Sequence, residues 1–309
     1  MKALVYKSTG SWYIVKDVSG KAYNARIKGV LKIDGITSTN PIAVGDEVEL
    51  ELENEKENTV TITTIHQRKN YIARVSPHNK NQHHIVASNL DQSLLFATLK
   101  DPKTSHGFID RFLVASEMYH VPAIIVFNKA DIYKKKETEK FNELKKVYES
   151  IGYRIVLASI KNGDGVDEIK ALLKDKTTLL SGHSGVGKST FINLVFPELE
   201  LKTQEVSDWS GKGLHTTTFS EMFDLPFGGS IIDTPGIREL GLAHITKQEL
   251  SGYFPEMKTL LQDCRFNNCM HYNEPGCAIK NAVNTGIISE QRYISYLAIM
   301  ESLEEKTWG

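Results

Sequence analysis

Glycines stand first, fourth and sixth in the run Gly182-His183-Ser184-Gly185-Val186-Gly187-Lys188-Ser189, which ends in a lysine and a serine. Glycines at those places let successive backbone N–H groups turn toward phosphate oxygens, and a helix starting there adds its positive N-terminal field. Lys188 can then reach β- and γ-phosphates, the Ser189 hydroxyl can coordinate Mg²⁺, and Thr190 continues the binding segment. The apolar run Thr177 to Ser181 before it and Phe191, Ile192, Leu194 and Val195 after it supply the strand and helix that the motif needs.

Asp233-Thr234-Pro235-Gly236 follows the apolar Ser230-Ile231-Ile232, so Asp233 is expected at a strand end, holding Mg²⁺ through water, with the Gly236 N–H meeting a γ-phosphate. Between the two motifs, the segment Ser210-Gly211-Lys212-Gly213-Leu214-His215-Thr216-Thr217-Thr218 has glycines for mobility and threonines for a second Mg²⁺ hydroxyl. Thr217 is the first choice for that role and Thr216 the alternative.

Base selection points to Asn128-Lys129-Ala130-Asp131. Guanine presents its N1–H and 2-amino donors side by side, and the two oxygens of an ionised Asp131 match that pair, whereas adenine offers none. Asn128 can tie this loop to the phosphate loop, and the Lys129 stem can cover the base. Ser159, Ile160 and Lys161, followed by Asn162-Gly163-Asp164-Gly165, fit the remaining base-contact loop. In an ordinary GTP-binding domain the phosphate loop precedes the base-reading motif. Here it follows, so the nucleotide site is complete but the chain is cut elsewhere, as in a circularly permuted domain.

Hydrolysis also needs an oriented water. The residue after Gly236 is Ile237, whose side chain cannot orient one, so the chain alone is expected to hydrolyse GTP slowly. His215 could swing in as the catalytic group, or be an exposed loop histidine. His183 is expected to be packed or to face solvent.

All three cysteines fall between Cys264 and Cys277. Cys264, Cys269, His271 and Cys277 make the Cys₃His set of one closed, structural zinc site with no open position for catalysis. Buried, unliganded thiols are the competing reading. Iron–sulfur ligation fits less well with a histidine and no fourth cysteine.

Short β-rich runs such as Ser11 to Val15 and Val48 to Leu52, split by Ser19-Gly20, Asp34-Gly35 and Gly45-Asp46, indicate a small β-barrel over about residues 1–72. An OB-type barrel fits, and an SH3-like one would read similarly. Glu47, Glu49, Glu51, Glu53, Glu55 and Glu57 alternate along a half-exposed strand. Residues 59–89 hold no acid but carry Arg68, Lys69, Arg74 and Lys80 with His66, His78, His83, His84 and Tyr71. Such a stretch could track a phosphate backbone or be a solvated linker. From about residue 86, candidate strands at Ser93–Thr98, Ala123–Phe127, Arg154–Ala158 and Thr177–Leu180 alternate with helical patterns, the signature of βαβ units and a parallel sheet. An amphipathic helix is expected after Ser289.

The chain has 309 residues, 40% of them hydrophobic and 24% charged, with a formal net charge of −1. That suits a soluble protein of about two domains, or one large domain with appendages, and excludes an overall basic nucleic-acid binder. No run approaches the roughly 18 apolar residues of a membrane span, and no signal-peptide pattern opens the chain. A cytoplasmic monomer without a membrane partner is expected.

Taken together, these features resemble the ribosome small-subunit-dependent GTPases, RsgA, also called YjeQ. The resemblance covers nearly the whole chain and includes Asp233-Thr234-Pro235-Gly236-Ile237-Arg238-Glu239-Leu240-Gly241-Leu242. It implies an α/β fold: a circularly permuted P-loop GTPase domain (73–242) flanked by an N-terminal OB-fold barrel (1–72) and a C-terminal zinc-binding domain (243–309). It also implies GTP and GDP as ligands, and a role late in small ribosomal subunit assembly, on rRNA near the decoding region. The family's proposed catalytic histidine falls on His215. Leu214 stands where a basic residue is usual, and His183 where glutamine is usual. Two other classes stay open: a GTP-gated RNA-binding scaffold with incidental turnover, and a P-loop kinase, which Asp131 disfavours.

Overall fold

The computed structural model describes residues 1–9, 12–27, 41–54, 58–75, 83–197, 220–234, 242 and 245–303. Apolar–polar alternation builds five strands, β1 (Lys2–Ser8), β2 (Tyr13–Asp17), β3 (Ala22–Ile27), β4 (Glu47–Asn54) and β5 (Thr59–Ile65). Val5, Tyr13, Val15, Ala25, Val48, Leu50, Val60 and Ile62 share one interior, while Glu47, Glu51 and Glu53 are exposed. The order β1-β2-β3-β5-β4 closes through β1–β4 pairing, with β3 and β5 parallel. This is the Greek-key closure of an OB-type barrel, which decides against the SH3-like alternative.

β6 (Tyr71–Val75) and β7 (His83–Ser88) form a two-stranded antiparallel sheet. Asp46 fastens the barrel to this unit, accepting from Arg68 Nε at 2.6 Å and from Ser88 Oγ at 2.6 Å. His78 and Lys80 lie outside the described residues.

The α/β region follows as β8 (Gln92–Ala97), α1 (His106–Met118), β9 (Ala123–Phe127), α2 (Lys135–Ser150), β10 (Arg154–Leu157), α3 (Val166–Leu173), β11 (Thr177–Ser181), α4 (Lys188–Val195), β12 (Glu221–Asp224) and β13 (Ser230–Asp233). The sheet order is β10-β9-β8-β11-β13-β12, parallel except for β12. Its strands are apolar on both faces because helices cover both. Ile109, Phe112, Phe141 and Tyr148 of α1 and α2 fill one side. Ile169 and Phe191 of α3 and α4 fill the other. α1 starts where Ser105 accepts from the Phe108 N–H at 3.2 Å, a cap that contributes about 1 kcal/mol.

β12, the sheet's last strand, pairs with β1 of the barrel, so one sheet of eleven strands runs through both units. The chain ends in α5 (Pro255–Lys258), α6 (Ala278–Asn284) and α7 (Glu290–Ser302). Phe254, Met257, Ile279, Tyr296 and Ile299 from this region join the core beneath α1. Among the described residues, no helix is long and apolar enough to cross a membrane.

Candidate functional site

β11 delivers the phosphate loop and α4 carries it away. Three glycines of the loop, Gly182, Gly185 and Gly187, have positive φ, and two of them leave no room for a side chain. A Cβ at Gly182 (φ +136°) would lie 2.4 Å from Phe96 O, and one at Gly187 (φ +101°) would lie 2.2 Å from Asn128 Nδ2. Val186 is buried and anchors the turn, whereas Ser184, Gly185, Ser189 and Thr190 are exposed, so the loop is open on one side to a ligand.

Lys188 folds back over the loop, donating from Nζ to Gly182 O and, at 3.2 Å, to His183 O. Burial lowers its proton affinity, and the Asp233 charge opposes that. Asp233 ends β13, beside β11 in register with Leu180. Burial raises its carboxyl pKa, while Lys188 and the Thr234 N–H lower it. A buried carboxylate and a lysine held this way at a phosphate loop suit a Mg²⁺–polyphosphate, to which the carboxylate would offer a metal ligand and the lysine a counter-charge for phosphate.

Asn128 joins three loops. Its Nδ2 donates to Val186 O of the phosphate loop at 2.9 Å, and its Oδ1 accepts from the Ile160 N–H at 3.0 Å. Ser159 Oγ donates to Asp131 Oδ1 at 2.8 Å, fixing the carboxylate expected to read guanine. The parallel strands β8, β9, β10 and β11 end at one edge, which brings these segments together although 51 positions separate Asp131 from Gly182 in the chain. Lys129 takes a left-handed backbone (φ +66°) and donates from Nζ to Asp101 O. Lys161 is exposed beside the buried Ile160. Gly236, His215, Thr216 and Thr217 lie outside the described residues.

His183 is half-buried and packed, one of the two roles expected of it. Its ring meets Phe108 edge-on at 5.4 Å, and Nε2 lies 2.8 Å from Thr104 Oγ1.

Sequence reasoning missed the loop between β8 and α1. Pro102, after a cis peptide bond, comes within 3.5 Å of where a Gly185 Cβ would be, and Asp101 receives Lys129. Tyr133 was missed as well. Its hydroxyl accepts from the Leu99 N–H at 3.0 Å and donates to Asn128 O at 2.7 Å, bracing the base loop. The Asp101-Pro102 pair signals a turn in the sequence, but not which loop it will meet.

The second cluster is Cys264, Cys269, His271 and Cys277, whose ligand atoms all lie within 4.8 Å of one another. His271 Nδ1 is 3.6 Å from Cys264 Sγ and 3.4 Å from Cys277 Sγ. Ligand edges of that size surround a tetrahedral Zn²⁺ with bonds of about 2.0–2.3 Å. The donor set therefore fits the ion. Tyr293 and Tyr296 of α7 donate to the backbone carbonyls of His271 and Met270, at 2.6 and 2.8 Å, and so hold the loop.

A phosphate loop, a guanine-type loop and a strand-end aspartate, gathered at one edge of a parallel sheet but out of the usual chain order, define a circularly permuted P-loop GTPase. The RsgA GTPase family matches residues 65–243, and the RsgA N-terminal domain matches residues 2–60. The chain belongs to the RsgA family. It is 50% identical to the small ribosomal subunit biogenesis GTPase RsgA of Flavobacterium psychrophilum, over 99% of this chain and 94% of that one. It is also 50% identical to the protein of that name from Bacteroides fragilis, over 99% and 98%. Among solved structures, YjeQ from Thermotoga maritima superposes with a TM-score of 0.76 at 32% identity, covering 98% of each chain. YloQ, a circularly permuted GTPase, gives 0.73 at 30% identity, over 97% of this chain and 94% of that one.

Proposed function

We propose that this chain hydrolyses GTP as a late-stage assembly factor of the small ribosomal subunit, binding rRNA near the decoding region, with the nucleotide state controlling its association and release. The observation that carries the nucleotide part is Asn128, which bonds both the phosphate loop and the Ile160 loop from within the Asn128–Asp131 motif. The ribosomal part rests on relatives 50% identical over nearly the whole chain that bear that function in their names.

In this reading Asp131 accepts the N1–H and 2-amino group of guanine, Lys129 covers the base, and Ser159, Ile160 and Lys161 close its edge. The backbone of Gly182 to Ser189, with Thr190, cradles the phosphates, and Lys188 turns from its carbonyl partners to the β- and γ-phosphates. Ser189, Thr217 and Asp233 hold Mg²⁺, which when bound neutralises charge on the β- and γ-oxygens. Gly236 meets the γ-phosphate through its N–H, and His215 orients the attacking water. Zn²⁺ at Cys264, Cys269, His271 and Cys277 is structural.

The unit boundaries proposed are 1–72 for the barrel, 73–242 for the GTPase domain and 243–309 for the zinc-binding domain. The protein works in the cytoplasm as a monomer. The Asp233 switch leads directly into the zinc-binding domain, so γ-phosphate contacts that order it also place that domain on the subunit. Co-sedimentation with small subunits tests this: retention should be strong with a non-hydrolysable GTP analogue and weak with GDP. Equal retention would count against nucleotide-gated release.

A further inference from the structure

The barrel meets the GTPase sheet through a row of charges. β1 pairs with β12 at Lys7 and Glu221, and β12 pairs with β13 at Glu221 and Asp233. Partners in an antiparallel register carry their side chains on the same face, with Cβ atoms about 5 Å apart. Lys7, Glu221 and Asp233 therefore line one face of the continuous sheet, in that order. Lys7 Nζ lies 2.7 Å from Glu221 Oε2, with the side chains only 22% and 28% exposed. Beyond Asp233 the sheet continues into β11, which leads through the phosphate loop to Lys188, and the charges of Asp233 and Lys188 act on each other. The row reads cation, anion, anion, cation, from the barrel to the phosphate loop.

Local geometry aims Lys7 at this row. A bulge in the β1–β2 pairing between Val5 and Lys7 inserts Tyr6 as an extra residue. Tyr6 and Lys7 leave β1 on opposite faces of the sheet, and both reach β12, whose Asp224 and Glu221 also lie on opposite faces. Tyr6 donates from its hydroxyl to Asp224 Oδ1 at 2.6 Å, and Lys7 pairs with Glu221. Lys16 adds a second pair to Asp224 at 2.7 Å. Glu221 is also four positions after Thr217 in the chain.

We infer that Lys7 of the barrel is a positioning residue for the Mg²⁺–nucleotide site, cancelling the charge of Glu221 one strand away from Asp233. The inference rests on the nucleotide reading of Asp233 and Lys188 given above. Without Lys7, Glu221 places an uncompensated carboxylate beside a site built for a polyphosphate, and the repulsion weakens nucleotide binding.

The test measures binding of fluorescent GDP and of a fluorescent non-hydrolysable GTP analogue, at fixed Mg²⁺ and low salt. Lys7→Met should weaken binding by roughly three- to tenfold, more for the triphosphate, and the loss should shrink at about 0.5 M salt. Glu221→Gln alone, which leaves the Lys7 charge uncompensated, should bind at least as tightly as the wild type, and Lys7→Met with Glu221→Gln should return to the wild-type value. Lys7→Gln, which keeps a hydrogen bond to Glu221 without the charge, should weaken binding as much as Lys7→Met and keeps the test open if the latter fails to fold. A lysine that merely tethers the barrel gives a different pattern: Lys7→Met and Glu221→Gln equally impaired, with no recovery in the double variant. That pattern, or unchanged binding in both Lys7 variants, overturns the inference. Failure of the wild type to bind guanine nucleotides would instead overturn the nucleotide reading itself.

Discussion

Arg292 of α7 donates from Nη1 to Asp110 Oδ1 of α1 at 2.7 Å, with both side chains buried. The same guanidinium donates from Nε and Nη2 to the two oxygens of Glu256, at 2.7 and 3.1 Å, and Tyr148 donates to Asp110 at 2.8 Å. Burial alone would lower the proton affinity of Arg292, but Asp110 and Glu256 outweigh it and keep the side chain charged. The start of α1 meets the phosphate loop through Thr104 and Phe108, so one helix touches both the nucleotide site and the C-terminal region.

Removing this guanidinium strands two buried carboxylates. Arg292→Met should cost about 3–5 kcal/mol in urea unfolding, and Arg292→Met with Asp110→Leu should recover part of that. A loss below about 1 kcal/mol would mean that water already reaches the pair.

Asp131→Asn exchanges two acceptors for one acceptor and one donor. GTP affinity should fall by about two orders of magnitude, while XTP, whose xanthine offers an N1–H donor beside an O2 acceptor, should gain. Competition of GTP and XTP against fluorescent GDP measures both. Unchanged GTP affinity would remove Asp131 from base recognition.

Lys188→Ala should weaken nucleotide binding by roughly a hundredfold. Its present partners are carbonyls of its own loop, so thermal stability without nucleotide should change little. Isothermal titration and a thermal melt separate the two effects.

The Cys269 thiol is pushed up to about 12, by burial first and then by Cys277 and Cys264. A thiol that holds its proton so tightly must release it to bind Zn²⁺, so zinc affinity should rise with pH and fall as protons compete at lower pH. One zinc per chain should be found by elemental analysis. Cys269→Ser should reduce zinc retention and lower the melting temperature of the C-terminal region.

Much of this site was legible in sequence because its motifs are local. The phosphate loop, Asn128 to Asp131 and the cysteine–histidine spacing each carry their chemistry within a few residues, and the apolar runs at 93–98, 123–127 and 177–180 mark strands that the structure forms with shifts of a residue or so. What stayed hidden is contact between distant segments. Nothing near Lys7 announces Glu221, and nothing near Asp110 announces Arg292, since each pair is made by tertiary closure across more than 180 positions. Tyr133 and Pro102 were missed for the same reason. The β6–β7 pair is hidden by the basic residues around it, although Tyr71-Ile72-Ala73 and His84-Ile85-Val86 carry strand-type residues.

The central claim is most directly tested by GTP turnover of the purified protein, titrated with purified small ribosomal subunits and, separately, with large subunits. Turnover should be slow alone, rise with small subunits until they saturate the protein, and stay low with large ones. His215→Ala should lose the rise while still binding GTP. A wild-type rate that is the same with small subunits, large subunits or neither would contradict a ribosome-dependent GTPase.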